Sequence, residues 1–195
     1  IQRGEAKLVL SGWDILCEYE RLLPGRVSRP EPLSAGEETA RLEALRQRLL
    51  GNLLEVLAQR YASLEHAYFI GRNIDYAVAL EASLKLTEIS YIHSEAYAAG
   101  ELKHGTISLI EEGTFVVALA CTEKLIDKTM SNIKEVKARG AEVLVVTTDD
   151  HRDLVGEADH VIYIPKTNDL LMASLEVVPM QLLGYYIALA RKCDI

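Results

Sequence analysis

Phe115-Val-Val-Ala-Leu-Ala120, a charged amphipathic stretch over 123–139 closed by Gly140, and then Glu142-Val-Leu-Val-Val-Thr147 decide the fold between them. The two apolar runs are of strand length and do not alternate in polarity, so each reads as a strand covered on both faces, as in a parallel sheet. The stretch between them has the length of a crossover helix, with a glycine where such a helix stops. The same pattern recurs outward. Ala67-Tyr-Phe-Ile-Gly71 reads as a buried strand before a helical pattern over 74–90. His160-Val-Ile-Tyr-Ile164, closed by Pro165, reads as a fourth strand, and a last helix from about Asp169 to Lys192 carries Pro179, where a kink is expected. Strands alternating with helices imply right-handed crossovers, so the expected fold class is α/β: a doubly wound parallel sheet flanked by helices. Ligands of such sheets bind beyond the carboxyl ends of the strands, which points to the loops after Ile70, Ala120 and Thr147 and to segment 90–106.

Upstream the texture differs. Residues 1–66 read as a helical lead-in: a helix over 5–22, a loop over 23–35 holding Pro24, Pro30 and Pro32, and a long helix over 36–65. Its stripe is Leu42, Leu45, Leu49, Leu53, Leu57, Tyr61 and Leu64. Ser34-Ala-Gly-Glu37 has the form of a capping box for that helix. The sheet domain is expected over 67–195. The chain opens on Ile1 rather than Met, so a longer parent is expected.

Composition narrows the function. In 195 residues, 21 Lys and Arg stand against 29 Asp and Glu, a net charge of −8, which argues against nucleic acid or an anionic membrane as the main partner. An apolar fraction of 49% suffices for a full core, and no apolar run reads as long enough to span a bilayer. Arg3, Glu5 and Lys7 interrupt the opening against a signal peptide. Cys17, Cys121 and Cys193 fit no metal-binding spacing, so reduced thiols in a cytoplasmic protein, with no metal and no cofactor, are expected.

The chemistry concentrates in Leu80–Gly105. On a helix, Glu81, Lys85 and Glu88 project from one face, and a second charged cluster follows in Glu101, Lys103 and His104. Carboxylates that accept protons, an ammonium that stabilises an oxyanion and an imidazole that titrates near neutrality suit proton transfer between adjacent carbons of a sugar. Glu81 and Lys85 at this spacing equally form an ordinary solvated helix pair, and spacing alone does not choose between the two.

The run from Glu88 to Gly105, EISYIHSEAYAAGELKHG, closely resembles the isomerase region of the glucosamine-6-phosphate synthase family. So do Phe69-Ile-Gly-Arg72, Leu80-Glu81 with Leu84-Lys85-Leu86, Ser131-Asn132, Glu135-Val136 with Ala138-Arg139-Gly140, and Val178-Pro179 with Gln181-Leu182. The resemblance covers about residues 67–195. It implies the second of two SIS (sugar isomerase) domains of flavodoxin-like type, in an enzyme making glucosamine 6-phosphate from fructose 6-phosphate and glutamine. Carried over by position, Glu88 implies the base between the first and second sugar carbons, Lys85 the stabiliser of the enolamine oxygen, and His104 the group assisting ring opening. In the family that histidine comes from the neighbouring subunit of a homodimer. Glu81 and Lys103 are further substrate-binding candidates.

The family's phosphate loop belongs to the first SIS domain. Ser34-Ala-Gly-Glu-Glu-Thr39 is superficially similar to it but follows no buried strand, and reads as a helix cap. The first SIS domain, the amidotransferase domain and the tail lysine that forms a Schiff base are missing from the sequence, so the chain alone is expected to be inactive and to bind sugar weakly. Asn73 and Thr87 replace the family's frequent Gly and Lys. Two other readings stay open: a related SIS isomerase or deglycase, and a non-catalytic SIS sensor of sugar phosphates.

Overall fold

A computed structural model describes residues 53–151 and 156–194. The expected helix over 5–22, the loop over 23–35, the capping box and the start of the long helix lie outside the described residues.

The first described element is α1 (Leu53–Tyr61), whose Leu54, Leu57, Ala58 and Tyr61 are buried at helical spacing. It ends at Tyr61, four residues short of the expected boundary. The chain must turn there to enter the sheet, and Leu64 N–H donates to the Tyr61 carbonyl in that turn. Strand β1 (His66–Gly71) follows, then α2 (Ile74–Ser90), β2 (His93–Ala98), two 3₁₀ segments (Ala99–His104 and Thr106–Leu109) and β3 (Phe115–Ala120). A short 3₁₀ turn at Glu123–Leu125 leads into α3 (Ile126–Lys137), β4 (Glu142–Thr148), β5 (His160–Ile164) and α4 (Asp169–Arg191).

All strand pairs are parallel, in the order β2-β1-β3-β4-β5. All six residues of β3 are buried, as the continuous apolar run requires. Sequence reading supplied four of the five strands. The fifth, β2, has the polar sequence His-Ser-Glu-Ala-Tyr-Ala and lies at the sheet edge with five of its residues half-buried and His93 exposed. This edge strand lacks the apolar run of the covered strands, whereas β5 at the opposite edge keeps one in Val161-Ile-Tyr-Ile164.

The chain winds one way from β1 to β2 and the other way from β3 to β4, so right-handed crossovers put α2 and α3 on opposite faces. Packing agrees. Tyr68, Ile70, Val116, Ala118, Val143 and Val145 share one core with Ile126, Met130, Ile133 and Val136 of α3 and with Ala99 and Leu102 of the first 3₁₀ segment. The intervening residues, Phe69, Phe115, Val117, Leu119 and Leu144, are also buried and point to the other face. There α2 packs on α4, and α4 on α1. Tyr61 stacks on Phe115 with ring centroids 3.8 Å apart. Arg191 at the far end of α4 donates to the carbonyls of Ala62 and Leu64, fastening the two ends of this layer.

Helix α4 corrects one expectation from the sequence. Its Leu171–Arg191 portion is long and apolar enough to cross a membrane by length and composition. Met172, Met180, Leu183, Ile187 and Ala188 are nevertheless buried in the domain's own core. The polarity of Asn168-Asp169 and Arg191-Lys192 had masked how apolar the interior of the segment is.

Two turn positions matter for the site. A Cβ on Gly71 would lie 2.5 Å from the Asp75 carbonyl carbon and 2.7 Å from Tyr76 N, backbone that cannot step aside. Gly71→Ala is therefore expected to destabilise the domain by about 1–3 kcal/mol, read by urea unfolding, because α2 must back away from β1. Asn73 has φ 55° and ψ −119°, a conformation that glycine takes more readily than any side-chain-bearing residue. That explains physically why glycine suits this position in the family that the sequence resembles.

Candidate functional site

Helix α2 carries the first cluster. Lys85 Nζ lies 2.6 Å from Glu88 Oε2 and 3.9 Å from Glu81 Oε1, so the expected one-face arrangement is present. The three side chains are half-buried to exposed, with Lys85 33% and Glu88 55% accessible. The hydrogen bond to Glu88 raises the Lys85 ammonium above its ordinary value, and the charges of Glu88 and Glu81 add to it. The result is an accessible ammonium held against two carboxylates, on a helix locked to the sheet by Val78, Ala79, Ala82 and Leu86.

The next strand is pinned to this helix by Ser83, Thr87 and Ser94, of which the sequence marked only Thr87, and not for this role. Ser94 Oγ, on β2, donates to the Ser83 carbonyl at 2.7 Å and lies 3.0 Å from Ser83 Oγ and 2.9 Å from Thr87 Oγ1. With the Ser94 proton committed to the carbonyl, the other two hydroxyls donate to its oxygen. Thr87 thus joins α2 to β2 one residue from Glu88. Hydroxyls at 83, 87 and 94 were the available signal, but they become a cluster only once β2 is recognised as a strand.

The second cluster is elsewhere. Lys103 and His104 close the 3₁₀ segment that follows β2, and this segment packs through Ala99 and Leu102 on the α3 face of the sheet. Lys85 and Glu88 belong to the layer on the other face. His104 is 74% exposed, with Nε2 3.7 Å from Glu101 Oε2. Lys103 is engaged with Glu135 of α3 at 2.8 Å. Glu135 also accepts from Asn132, whose Oδ1 accepts from Arg72 Nη2 at 2.9 Å and Nε at 3.2 Å. A chain of polar contacts therefore runs from the end of β1 to Lys103: its one carboxylate, Glu135, pairs with Lys103, while Arg72 is held by the neutral Asn132 amide, so the chain keeps one net positive charge. Glu81, Lys85 and Glu88 come together, Lys103 is tied to α3, and within one chain the sheet lies between His104 and the Lys85–Glu88 pair.

Winding reverses between β1 and β3, the place where open α/β sheets present a ligand crevice. Fully buried Asp75, in the first turn of α2, reaches across it. One of its oxygens accepts from the N–H groups of Cys121 and Thr122, each at 3.2 Å, and the other from Thr122 Oγ1 at 2.6 Å. The loop after β3 is held by this carboxylate. Among the described residues no group of three or more His, Cys, Asp or Glu is placed to hold a metal ion.

Residues 61–191 match the family described as the SIS domain. The chain belongs to the SIS domain family. The chain is 48% identical over 176 residues to a glutamine–fructose-6-phosphate aminotransferase (isomerizing) of Caldanaerobacter subterraneus subsp. tengcongensis, a match covering 89% of this chain and 29% of that protein. A protein of the same name from Clostridium acetobutylicum is 55% identical over 128 residues, 66% of this chain and 21% of its own length. Among solved structures, the C-terminal domain of glucosamine-fructose-6-phosphate aminotransferase from Francisella tularensis superposes with a TM-score of 0.70 at 33% identity, over 82% of this chain and 46% of that one. The chain thus spans under a third of the length of the curated relatives it matches. The resemblance read from the 88–105 run is borne out, as is the doubly wound α/β fold.

Proposed function

We propose that this SIS domain is the second phosphosugar-binding half of the isomerase module in an enzyme that makes glucosamine 6-phosphate from fructose 6-phosphate and glutamine. The observation that carries the reading is the Lys85–Glu88 contact at 2.6 Å on an accessible helix face, within a chain about half identical to aminotransferases of that name. Glu88 acts as the general base. Its carboxylate takes the proton from one sugar carbon and returns it to the neighbour, while Lys85 lies beside it to neutralise the charge that develops on the enolamine oxygen. Glu81, 3.9 Å away, adds a second negative charge that favours the protonated ammonium.

His104 assists ring opening from the partner subunit. In support, His104 and the Lys85–Glu88 pair lie on opposite faces of one sheet, so a site that uses all three takes them from two chains of a homodimer. Alone, this domain turns over no sugar, since it corresponds to under a third of the proteins that bear the full activity in their names.

A chimera tests the reading: this chain replaces its 48%-identical counterpart segment in the Caldanaerobacter relative. The chimera is expected to form glucosamine 6-phosphate from fructose 6-phosphate and glutamine. A folded chimera that hydrolyses glutamine but yields no amino sugar would refute the assignment.

A further inference from the structure

Glu176, on α4, is a fully buried acid, and neither of its carboxyl oxygens has a hydrogen-bond partner. The groups that act on it come from two other elements: Asp75 from the first turn of α2, and Cys121 from the end of β3. No cation is among them. The two acids are not equivalent. Asp75 has three donors on its two oxygens and so holds a negative charge, whereas Glu176 has none and holds a proton. Burial, then the Asp75 charge, push Glu176 up to about 8. Burial also pushes Asp75 up, against the pull of its bonds from Thr122 and Cys121. The Cys121 thiol is raised well above its ordinary value by burial and by the two carboxyl groups, so it adds no charge of its own.

We propose that Glu176 is a proton-held latch: α4 stays seated on the sheet while this carboxyl is neutral and loosens when it ionises beside Asp75. The latch lies where the winding reverses. Loosening it frees the Asp75-held loop after β3 and, with it, the crevice at the carboxyl ends of β1 and β3. The domain is therefore tight in neutral and mildly acidic solution and slack in alkaline solution.

The sign follows from proton counting. The carboxyl titrates higher in the folded chain than its ordinary value of 4.5, so between 4.5 and about 8 the folded state holds one more proton than the unfolded state. Stability from this group is greatest below that window and falls as pH rises through it.

Unfolding of the full chain in urea from pH 5 to 9, with amide exchange read separately for α3 and α4, tests the latch. The wild type is expected to lose up to about tenfold in folding equilibrium constant per pH unit across the window, and α4 to lose protection before α3. Glu176→Gln keeps the shape without the titration and is expected to remove most of that slope. Infrared spectroscopy of the wild type gives a reading that does not depend on the variant folding: a protonated carboxyl band is expected to persist at pH 6.5, where solvated carboxyls are ionised, and to vanish by pH 9. A Glu176→Gln chain that retains the wild-type slope, or a wild type without the protonated band at pH 6.5, overturns the proposal.

Discussion

Glu88→Gln in the chimera with the Caldanaerobacter relative is expected to lower isomerisation by about 10²–10⁴-fold while glutamine hydrolysis continues, which is the range attributed to one positioned general base. The substitution keeps the length and planarity of the side chain and a carbonyl oxygen that can still accept from Lys85. It removes the negative charge and, with it, the capacity to hold a proton reversibly. Glu88 is 55% exposed, and a surface ion pair of this kind contributes about 0.2–1 kcal/mol, so the melting temperature should barely move. A large loss of amino sugar without loss of stability therefore isolates chemistry from folding. Glutamate release and glucosamine 6-phosphate formation, measured on the same sample, separate the two activities. Glu81→Gln is an internal control: Glu81 stands 3.9 Å from Lys85 and is not the proposed base, so its loss should cost far less. Unchanged isomerisation in Glu88→Gln would return Lys85 and Glu88 to the role of a solvated helix pair.

What could be read in the sequence divides along physical lines. The covered strands were legible because burial on both faces forces continuous apolar runs, as in Phe115–Ala120 and Glu142–Thr148. Strand β2 was not, because it carries His93, Ser94 and Glu95 at one edge, whereas β5 at the other edge keeps an apolar run. Missing it also hid the Ser83–Thr87–Ser94 hydroxyl cluster, and it left the 90–106 segment without a geometry. The alignment of Glu81, Lys85 and Glu88 was legible from helical periodicity alone. That His104 lies across the sheet from them was not, since this follows from which way each crossover winds. Asp75 and Glu176 escaped notice for a different reason. Each stands in a helix among apolar neighbours, at spacings that carry no motif, and only the packing of α2 and α4 around the end of β3 brings them near each other.

Mixing subunits should reveal the consequence of that winding. In the same chimera, assembled as the proposed homodimer, the Glu88→Gln and His104→Ala variants are each expected to be inactive or nearly so in isomerisation, because every site lacks one group. If the two residues serve a site from different subunits, a heterodimer of the variants contains one site with both defects and one with neither. Random exchange makes half the dimers heterodimeric, so the mixture should recover about a quarter of wild-type activity from two inactive parents. The opposite assembly gives the opposite result. If Glu88 and His104 of the same chain met in one site, each site in each heterodimer would still lack one group, and mixing would restore nothing. The sheet between α2 and the Ala99–His104 segment favours the first outcome, since the two elements pack on opposite faces of it. The test needs proof that subunits exchange, which differently tagged chains recovered together provide. Exchanged dimers without recovered activity would rule out His104 acting across the subunit boundary.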